Sequence, residues 1–481
     1  MAENEKLSSF KLDTLIDIYK NYVNEYKKSE RDNLEFEIRF GTSQSYRINQ
    51  TMFTNTYNYL TNMGFIVENS NYMLKTTMEY DSDDGNKRES NIRIEINDIN
   101  DIKTLCETGS LPHPKSMNYT QKLSVDKRMN RPIYNNDYGY RVSLQKERSL
   151  SANTSAVRNM LSEWGNQKKL FRYMHRTSLI HKDFPCIRVD LSSVKGNYRN
   201  RQIMFQDTNL FNEPFSYEIE IEAINEKIDD SFNFTKFSKD LKKVIKYALC
   251  GIQNTFSIPI KLKEREDIIG EYFDILEKFN HGEQVKRIEK SFNFMGPSSY
   301  TLQKNNIVKS EQNNSVTIYD GFCVTDKADG ERKLLYINKK GKLYFIDNNL
   351  RIQYTGSYTS NKRLFNAIID GEHIMKDKHG NNINLYAAFD IYIGNDKDKN
   401  PQDYRGIPFY LFDYEKQEIN KEELLTRYEI LSSFVHTLTN NDKKKLQHLI
   451  PKNKINIVVK DFVFENKKAN ITINQCCETL L

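Results

Sequence analysis

The chain has 481 residues, of which 38% are hydrophobic and 28% are charged, so it can form packed cores and is not of the disordered class. Its 71 basic and 65 acidic residues leave a net charge of +6. This weak excess is compatible with a polyanion partner, but any phosphate-binding surface must be local. The length is typical of about two to four domains.

Cysteine usage and the N-terminal sequence indicate the cellular compartment in which the protein is expected. The six cysteines have no zinc-ligand spacing, and the adjacent Cys476 and Cys477 are a poor disulfide pair, which indicates a reducing compartment. The first residues, MAENEKLSSFKL, lack an apolar signal region, and no run of about 18 apolar residues follows. We therefore expect a soluble, intracellular protein without membrane contact.

The first half of the chain predicts two helices and a series of amphipathic strands. Apolar residues at helical spacing predict a helix over 10–28, and a second helix over 51–63 ends at Gly64. Strict alternation in NLEFEIRFG (33–41) predicts a strand with one apolar and one charged face. Further strands are predicted in NIRIEIN, YRVSLQKE, FRYMHRTS, IRVDLSS and YEIEIEA, followed by a helix over 235–250 that Gly251 ends.

The second half changes in character and predicts a separate domain. Residues 257–318 are expected to form a helix and a polar, Asn- and Ser-rich connector. Beyond it, short apolar runs predict strands in FCVTDKADG, KLLYI, KLYFI, AIIDGEHI, YAAFDIYI and FYLFDY. Asn420 with Glu423 resembles a capping box and predicts a helix over 421–437. The predicted domains are therefore 1–256 and 319–481, joined by the connector 257–318.

The charged faces of the N-terminal strands form the first candidate site. If the sheet closes into a barrel, the apolar faces pack outward against helices and the charged faces line a lumen. The alternative is a set of solvated strands whose glutamates and arginines form ordinary ion pairs. Two Glu-x-Glu strands at opposite ends of one domain, with Arg-bearing strands between them, favour the lumen.

A lumen of this composition predicts a metal and a polyanion bound together. Four carboxylates are candidate ligands of one hard divalent cation, Mg²⁺ or Mn²⁺: Glu35, Glu37, Glu218 and Glu220. The candidates for phosphate binding are Arg39, Arg93, Arg141, Arg172 and Arg176. Clustered carboxylates repel one another, so a cation between them would explain why they occur together.

Glu35-x-Glu37-x-Arg39 with Glu218-x-Glu220 resembles the triphosphate tunnel metalloenzymes, in particular the RNA triphosphatase domain of viral capping enzymes. The resemblance covers about residues 30–225 and is more specific for the glutamate pairs than for the arginines between them. It implies a closed antiparallel β tunnel that hydrolyses the γ-phosphate of 5′-triphosphate RNA with a metal. Glu147 or Glu222 is then expected to orient the attacking water.

A second candidate site is the motif K-x-D-G-x-R, which occurs at Lys327-Ala328-Asp329-Gly330-Glu331-Arg332. A neutral lysine amine can attack the α-phosphate of a nucleotide and form a covalent phosphoramidate. Gly330 would allow the backbone to approach a ribose closely. The alternative for Lys327 is a solvated lysine in a turn.

The motif and the segments IIDGEHI and AAFDIYI resemble the covalent nucleotidyltransferases, which include capping guanylyltransferases and ATP- or NAD-dependent ligases. The resemblance implies that Lys327 is the nucleophile. It also implies nucleotide contacts from Arg332, Asp370, Glu372 and Phe389; the alternative for Phe389 and Asp390 is that they are ordinary core or turn residues. A later Asp-Gly strand motif is not found, and Lys452-Asn453-Lys454 precedes a strand, which leaves Lys460 as a candidate phosphate contact.

A tunnel followed by a lysine nucleotidyltransferase resembles the large capping enzymes of poxviruses, African swine fever-like viruses and giant viruses. The fold class is then α+β, with a closed β tunnel followed by a nucleotidyltransferase domain that is incomplete at its C-terminal end. The implied partners are the 5′-triphosphate end of nascent RNA, GTP as substrate, and a small capping subunit or the viral RNA polymerase. The implied location is the viral factory in the host cytoplasm and the virion.

Two alternatives to a bifunctional capping enzyme stay open from the sequence. One is an ATP-dependent polynucleotide ligase that forms lysyl-AMP, with the N-terminal domain as a nucleic-acid clamp. The other is a non-catalytic scaffold or regulatory fragment, which the missing motifs favour.

Overall fold

The computed structural model describes most of the chain in two units. The described residues are 16–17, 19–20, 33–41, 46–81, 87–124, 132–228, 232–255, 258–280, 285–308, 317–319, 321–395, 401–411, 426–439, 446–449, 454–465 and 471–480. Contacts divide the chain into Glu3–Thr255 and Phe256–Leu481. Within the described residues, no helix is long and apolar enough to cross a membrane.

In its described residues, the first unit contains nine strands and, apart from the helical residues 16–17 and 19–20 and short 3-10 helices, four α-helices. The strands are β1 (Leu34–Phe40), β2 (Ile66–Asp81), β3 (Lys87–Ile96), β4 (Asn118–Ser124), β5 (Ile133–Asn135), β6 (Tyr140–Leu150), β7 (Lys169–Ile180), β8 (Ile187–Gly196) and β9 (Ser216–Ala223). The helices are α1 (Gln50–Asn62), α2 (Ile99–Thr108), α3 (Ser155–Ser162) and α4 (Phe234–Ile252). Of the helix predicted over 10–28, residues 16–17 and 19–20 are described and are helical.

Eight of these strands close into an antiparallel barrel. The neighbour order is β1-β9-β8-β7-β2-β3-β4-β6, and β6 pairs again with β1 through a register that sets Ile38 opposite Val142. Strand β5 pairs with the first three residues of β6, Tyr140 to Val142. The predicted closed antiparallel β tunnel is confirmed.

The core of the first unit lies outside the barrel, between strands and helices. The apolar residues of β1 (Leu34, Phe36, Ile38 and Phe40) are buried in a cluster that also contains α4 residues such as Leu241. A second cluster packs residues of α2 and α3 against β2, β3 and β7. Because successive side chains of a strand point to opposite faces, the charged residues of β1 point into the barrel.

Strands β2 and β4 are absent from the sequence prediction, although the barrel cannot close without them. The pairing of β2 with β7 shifts register between Val67 and Asn69, and its pairing with β3 shifts between Thr77 and Glu79. A β-bulge inserts one extra residue and so breaks the two-residue alternation on which the prediction depends.

The second unit is an α+β domain built on one large sheet. Its strands are β10 (Cys323–Val324), β11 (Glu331–Ile337), β12 (Lys342–Asp347), β13 (Ile352–Thr359), β14 (Ala367–Lys376), β15 (Asn382–Asn395), β16 (Pro401–Asp403), β17 (Leu446–His448), β18 (Asn456–Val459) and β19 (Val463–Phe464). The order in the large sheet is β16-β15-β14-β11-β12-β13-β17, and β18 pairs in parallel with β15.

Helices cover both faces of this sheet. They are α5 (Leu262–Lys278) and α6 (Arg427–Thr439), whereas α7 (Ile473–Leu480) contacts the separate two-stranded sheet of β10 and β19. One face packs against α5 through residues such as Ile268 and Tyr272, and the other packs against α6 through Leu431 and Leu438. Part of the segment predicted as a connector therefore belongs to the core of the second unit.

Two predicted elements of the second unit differ from the structure. Helix α6 begins at Arg427, where Thr426 and Glu429 bond each other as a capping pair, while Asn420 and Glu423 lie outside the described residues. Residues 409–411 of the strand predicted in FYLFDY are not in a strand, and the remainder of that segment lies outside the described residues.

Candidate active sites

The lumen of the barrel is a cavity of about 300 Å³ lined almost entirely by polar side chains. Among the described residues that line it, seven are glutamates and eight are lysines or arginines. The lining residues are Glu35, Glu37, Arg39, Lys75, Arg93, Glu95, Thr120, Lys122, Pro132, Arg141, Ser143, Gln145, Glu147, Arg172, Arg176, Arg188, Glu218, Glu220 and Glu222. Every residue that the sequence assigned to the tunnel site therefore lies in one cavity, although the role of each stays a prediction.

The two Glu-x-Glu strands are direct neighbours in the barrel. Strand β1 pairs antiparallel with β9, and the register sets Glu37 opposite Glu222 and Arg39 opposite Glu220. Strands separated by about 180 residues in the sequence thus bring their carboxylates to one wall of the lumen. Mutual repulsion in such a cluster must be relieved by protons or cations.

Glu37 carries the clearest sign of this repulsion. Its side chain is buried, and its Oε1 atom has no hydrogen-bond partner. Burial, and then the nearby charges of Glu220 and Glu35, raise the pKa of Glu37 to about 8. A cation bound here would favour the ionised carboxylate.

The carboxylates of Glu218 and Glu220 are held by arginines. Arg172 Nη2 donates to both oxygens of Glu218, at 2.7 and 2.8 Å, and Arg39 forms an ion pair with the same carboxylate. Arg176 Nη2 lies 3.1 Å from Glu220 Oε2, and Arg39 Nε lies 3.5 Å from Glu220 Oε1. Burial acts to raise the pKa of Glu220, but the guanidinium groups around it outweigh burial and lower that pKa.

A second group in the lumen centres on Lys122. Its Nζ lies 3.0 Å from Glu35 Oε2 and 2.7 Å from Glu147 Oε1, and Arg93 Nη2 lies 3.5 Å from the same Glu147 oxygen. Burial raises the pKa of Glu35 despite its contact with Lys122. The ammonium group therefore connects a predicted metal ligand to a predicted water-orienting residue.

The third group lies on β7, β8 and β9. Arg188 bonds Asp190 at 3.0 Å and also bonds Glu222, while Arg176 Nη1 lies 3.2 Å from Asp190 Oδ2. Burial and the charge of Asp190 raise the pKa of Glu222 to about 7. A carboxylate at this position can gain or lose a proton near neutral pH.

The lumen fits a divalent cation by its chemistry. Its carboxylates supply the oxygen ligands that Mg²⁺ and Mn²⁺ prefer, and the partnerless oxygen of buried Glu37 faces the same cavity. Among the described residues, no group of three or more His, Cys, Asp or Glu side chains already stands in an arrangement that could hold a metal. Glu35, Glu218 and Glu220 are instead bound to cationic side chains.

Arg141 fits an anionic ligand. It lines the lumen, and its Nε atom is buried without a hydrogen-bond partner. A buried donor left without a partner costs free energy comparable to a lost hydrogen bond. A phosphate oxygen in the lumen would accept from this donor.

Lys75 and Lys122 are lumen residues that the sequence prediction missed. Lys75 Nζ lies 3.3 Å from Glu95 Oε1, and burial together with Arg93 lowers the pKa of Lys75 to about 8. Both lysines belong to strands that the prediction lacked, β2 and β4. The alternation LKT and QKL around them is the signal that could have identified them.

In the second unit, the motif residues surround the start of β11. Lys327, Asp329 and Gly330 are exposed before the strand, and the Gly330 amide donates to Glu372 Oε1 at 3.1 Å. A Cβ atom at Gly330 would lie 2.8 Å from the His373 carbonyl oxygen, so the close approach requires glycine. In the part of the chain that is described, the side chain of Lys327 makes no hydrogen bond or ion pair.

Arg332 and Asp370 contact each other in this structure. Arg332 Nη2 lies 2.6 Å from Asp370 Oδ2, the Tyr392 hydroxyl donates to the same carboxylate at 2.7 Å, and Asp370 is fully buried. Burial raises the pKa of Asp370, although Arg332 opposes the shift. Arg332 Nη1 also donates to the Pro297 carbonyl at 2.6 Å, which ties the segment MGPSSYTL to the motif.

The remaining predicted nucleotide contacts lie on neighbouring strands. The Phe389 ring centroid lies 5.8 Å from Arg332 Cζ, so this ring is next to the motif. Asp390 instead bonds Arg427 Nε at 2.9 Å, which supports a structural role for that residue. Lys460 follows β18, and its amide donates to the Ala388 carbonyl at 2.7 Å; residues 452–453 lie outside the described residues.

A comparison by sequence shows similarity to a viral protein. No family model matches the chain. A "Probable mRNA-capping enzyme" of Acanthamoeba polyphaga mimivirus is 28% identical over 228 residues, which are 47% of this chain and only 16% of that protein.

Solved structures with some likeness include RNA triphosphatases. The RNA triphosphatase domain of a trifunctional mimivirus mRNA capping enzyme is 20% identical, with 52% of this chain and 99% of that chain covered and a TM-score of 0.34. The S. pombe Pct1 RNA triphosphatase in complex with the Spt5 CTD is 14% identical, with 49% and 93% covered and a TM-score of 0.28.

Proposed function

We propose that this chain, which is related in sequence to a viral mRNA-capping enzyme, carries the first two steps of 5′-cap formation. In the first step, water attacks the γ-phosphorus of 5′-triphosphate RNA, which leaves diphosphate-ended RNA and inorganic phosphate. The observation that carries the proposal is the closed lumen in which glutamates of β1 and β9 face arginines and lysines of the other strands.

The cationic side chains of the lumen bind the triphosphate. Arg39, Arg172 and Arg176 lie on one wall of the cavity, and their acidic neighbours hold them charged and oriented. Guanidinium groups match phosphate oxygens in geometry and remain protonated. Preoriented charges in a site with little water stabilise the negative charge of the transferring phosphoryl group.

The carboxylates of the lumen have two roles. Glu35, Glu37, Glu218 and Glu220 would hold a divalent cation, which supplies neutralisation of phosphoryl charge when bound. Glu147 or Glu222 would orient the attacking water and accept its proton. Both lie in the same cavity as the four proposed ligands.

The test is phosphate release from triphosphate-ended RNA with Mg²⁺ or Mn²⁺, and with a chelator. Glu37→Ala removes the carboxylate whose oxygen has no partner, and we expect kcat to fall about 100-fold or more. Glu68→Ala, an exposed residue of β2 that does not line the lumen, is the matched control. Release that needs no metal, or a Glu37→Ala variant as active as wild type, would contradict the proposal.

The second step is transfer of GMP. Lys327 Nζ would attack the α-phosphorus of GTP, lose a proton and form a P–N bond as pyrophosphate leaves. The diphosphate end of the RNA would then attack the same phosphorus and free the lysine. The exposed motif lysine, with Gly330 bonded to Glu372 and Arg332 beside Phe389, supports this step.

A polynucleotide ligase is the second candidate, because a ligase would use the same motif with ATP. Incubation with GTP or ATP labelled at the α-phosphate separates the two functions. A covalent GMP adduct supports capping, whereas an AMP adduct supports the ligase. A chain that forms neither adduct would leave the first step as its only supported activity.

A further inference from the structure

Tyr198 lies beside Arg172 of the barrel lumen and is half exposed, although it is not itself among the residues that line the cavity. It follows the last residues of β8 and has 48% of its surface exposed. A Cβ atom on Gly196 would lie 2.5 Å from the Tyr198 ring. Side chains two and four residues apart on a strand share a face, so position 196 shares the face of Val194 and Ser192. Gly196 is also paired with Arg172, whose side chain lines the lumen, so a side chain at position 196 would point inward. The ring therefore covers the inner side of the strand end.

The hydroxyl group of Tyr198 contacts a lumen residue directly. Arg172 Nε donates to it at 3.0 Å, while Arg172 Nη2 bonds Glu218. Arg172 and Gly196 are also paired across β7 and β8. The ring is thus fixed one hydrogen bond away from a side chain that we place against phosphate oxygens.

Cationic side chains flank Tyr198. Arg172 bonds its hydroxyl group, and Arg199, the next residue in the chain, is exposed. An exposed aromatic ring beside cationic side chains is typical of surfaces that bind single-stranded nucleic acid by stacking.

We propose that Tyr198 is the stacking surface for the base of the 5′-terminal nucleotide when the triphosphate occupies the lumen. The inference rests on the proposed triphosphatase function and specifies how the substrate's nucleoside is held. Stacking on one ring tolerates every base, so the contact selects a nucleoside triphosphate end over a bare polyphosphate without reading sequence.

A purely structural role for Tyr198 makes a different prediction. If the hydroxyl only positions Arg172, then Tyr198→Phe, which removes that hydrogen bond and keeps the ring, would damage hydrolysis. The loss would also be the same for any triphosphate compound. If the ring stacks on a base, Tyr198→Phe keeps the function and the loss in Tyr198→Ala depends on the presence of a base.

The experiment measures kcat/KM of the full chain for triphosphate-ended RNA and for inorganic tripolyphosphate. We expect Tyr198→Ala to lower the RNA-to-tripolyphosphate ratio at least about five-fold, mainly through KM, as for the loss of one stacked base. Tyr198→Phe is expected to keep the wild-type ratio. Tyr57→Ala, a partly exposed tyrosine of α1 that does not line the lumen, is the control.

The outcomes separate this inference from the proposed function. An unchanged RNA-to-tripolyphosphate ratio in Tyr198→Ala, whether both values of kcat/KM fall equally or neither falls, would overturn the stacking role. The proposed triphosphatase function would be unaffected by that result. Hydrolysis of neither compound by wild type would overturn the proposed function and the stacking role with it.

Discussion

The barrel and the second unit hold their charged candidate residues in different ways. In the barrel, strands β1 to β4 and β6 to β9 surround one cavity, and most of its acidic groups touch two cationic partners. In the second unit, Arg332 and Asp370 form a compact buried contact, but Lys327 lies on the exposed segment before β11.

This difference follows from the two topologies. The closed barrel buries most of the charged groups on its inner face, so these charges interact strongly and their pKa values shift far, as for Glu37 and Lys75 at about 8. An open sheet can bury one layer of polar contacts and leave the adjacent loop in solvent. The barrel therefore gathers its charged candidate residues in one cavity of the described structure, whereas Lys327 lies in an exposed segment outside the sheet.

The largest expected effect is the loss of one proposed activity without the other, which would assign the two activities to different units. Lys327→Ala is expected to abolish the covalent GMP adduct, and Lys327→Arg to abolish it equally, because a guanidinium is not a nucleophile at neutral pH. Phosphate release should stay within about two-fold of wild type, since Lys327 does not line the barrel lumen. Lys340→Ala, in the exposed turn after β11, should keep both activities. An adduct that survives in Lys327→Ala would contradict the assignment.

The next effect compares the stability of the two ionic networks. Arg332→Ala leaves the fully buried carboxylate of Asp370 with the Tyr392 hydroxyl as its one remaining hydrogen-bond partner in the described residues, and we expect a loss of about 3 kcal/mol. Arg176→Ala should cost less, on the order of 1–2 kcal/mol, because Asp190 keeps Arg188 and Glu220 keeps Arg39.

The measurement is the free energy of unfolding in urea, observed for each unit by the exchange of backbone amide hydrogens in β14 and in β8. It assigns each loss of stability to its own unit. A greater loss of stability for Arg176→Ala than for Arg332→Ala would contradict this prediction. It would show that the remaining arginines of the lumen do not compensate for Arg176.

A further expected effect, smaller than that of Arg332→Ala, concerns a buried histidine that has no counterpart among the described residues of the lumen. His373 Nδ1 lies 3.2 Å from Lys333 Nζ, and His373 Nε2 lies 2.9 Å from Asn384 Oδ1. Lys333 in turn lies 2.9 Å from Glu331. Burial, and then the charge of Lys333, lower the pKa of His373 to about 4.

Between about pH 6.5 and 4, the unfolded chain therefore binds a proton at His373 that the folded chain does not. Stability should fall as the pH falls through this window, by on the order of 2 kcal/mol at pH 5. His373→Gln should reduce this pH dependence, while His436→Gln, exposed on α6, should keep it. Thermal unfolding at pH 5 and pH 7.5 measures the difference, and equal slopes in all three proteins would contradict the prediction.

The sequence by itself determined which side chains share a face. The alternation in β1 and β9 places Glu35, Glu37, Glu218 and Glu220 on charged faces, and the order of letters in the motif places Gly330 beside Arg332. These inferences hold because the direction of a side chain along a strand depends on neighbouring residues alone.

Only the tertiary structure decided which charges meet. Lys122 bonds Glu35 although the two residues are separated by 87 positions, and the strand that carries Lys75 has register shifts on both sides. Barrel closure and inter-strand register depend on the packing of the whole unit, and a bulge of one residue changes the register without a clear signal in the alternation. Partner choice, the pKa values that follow from it, and the contact of Tyr198 with Arg172 could therefore not be predicted from sequence.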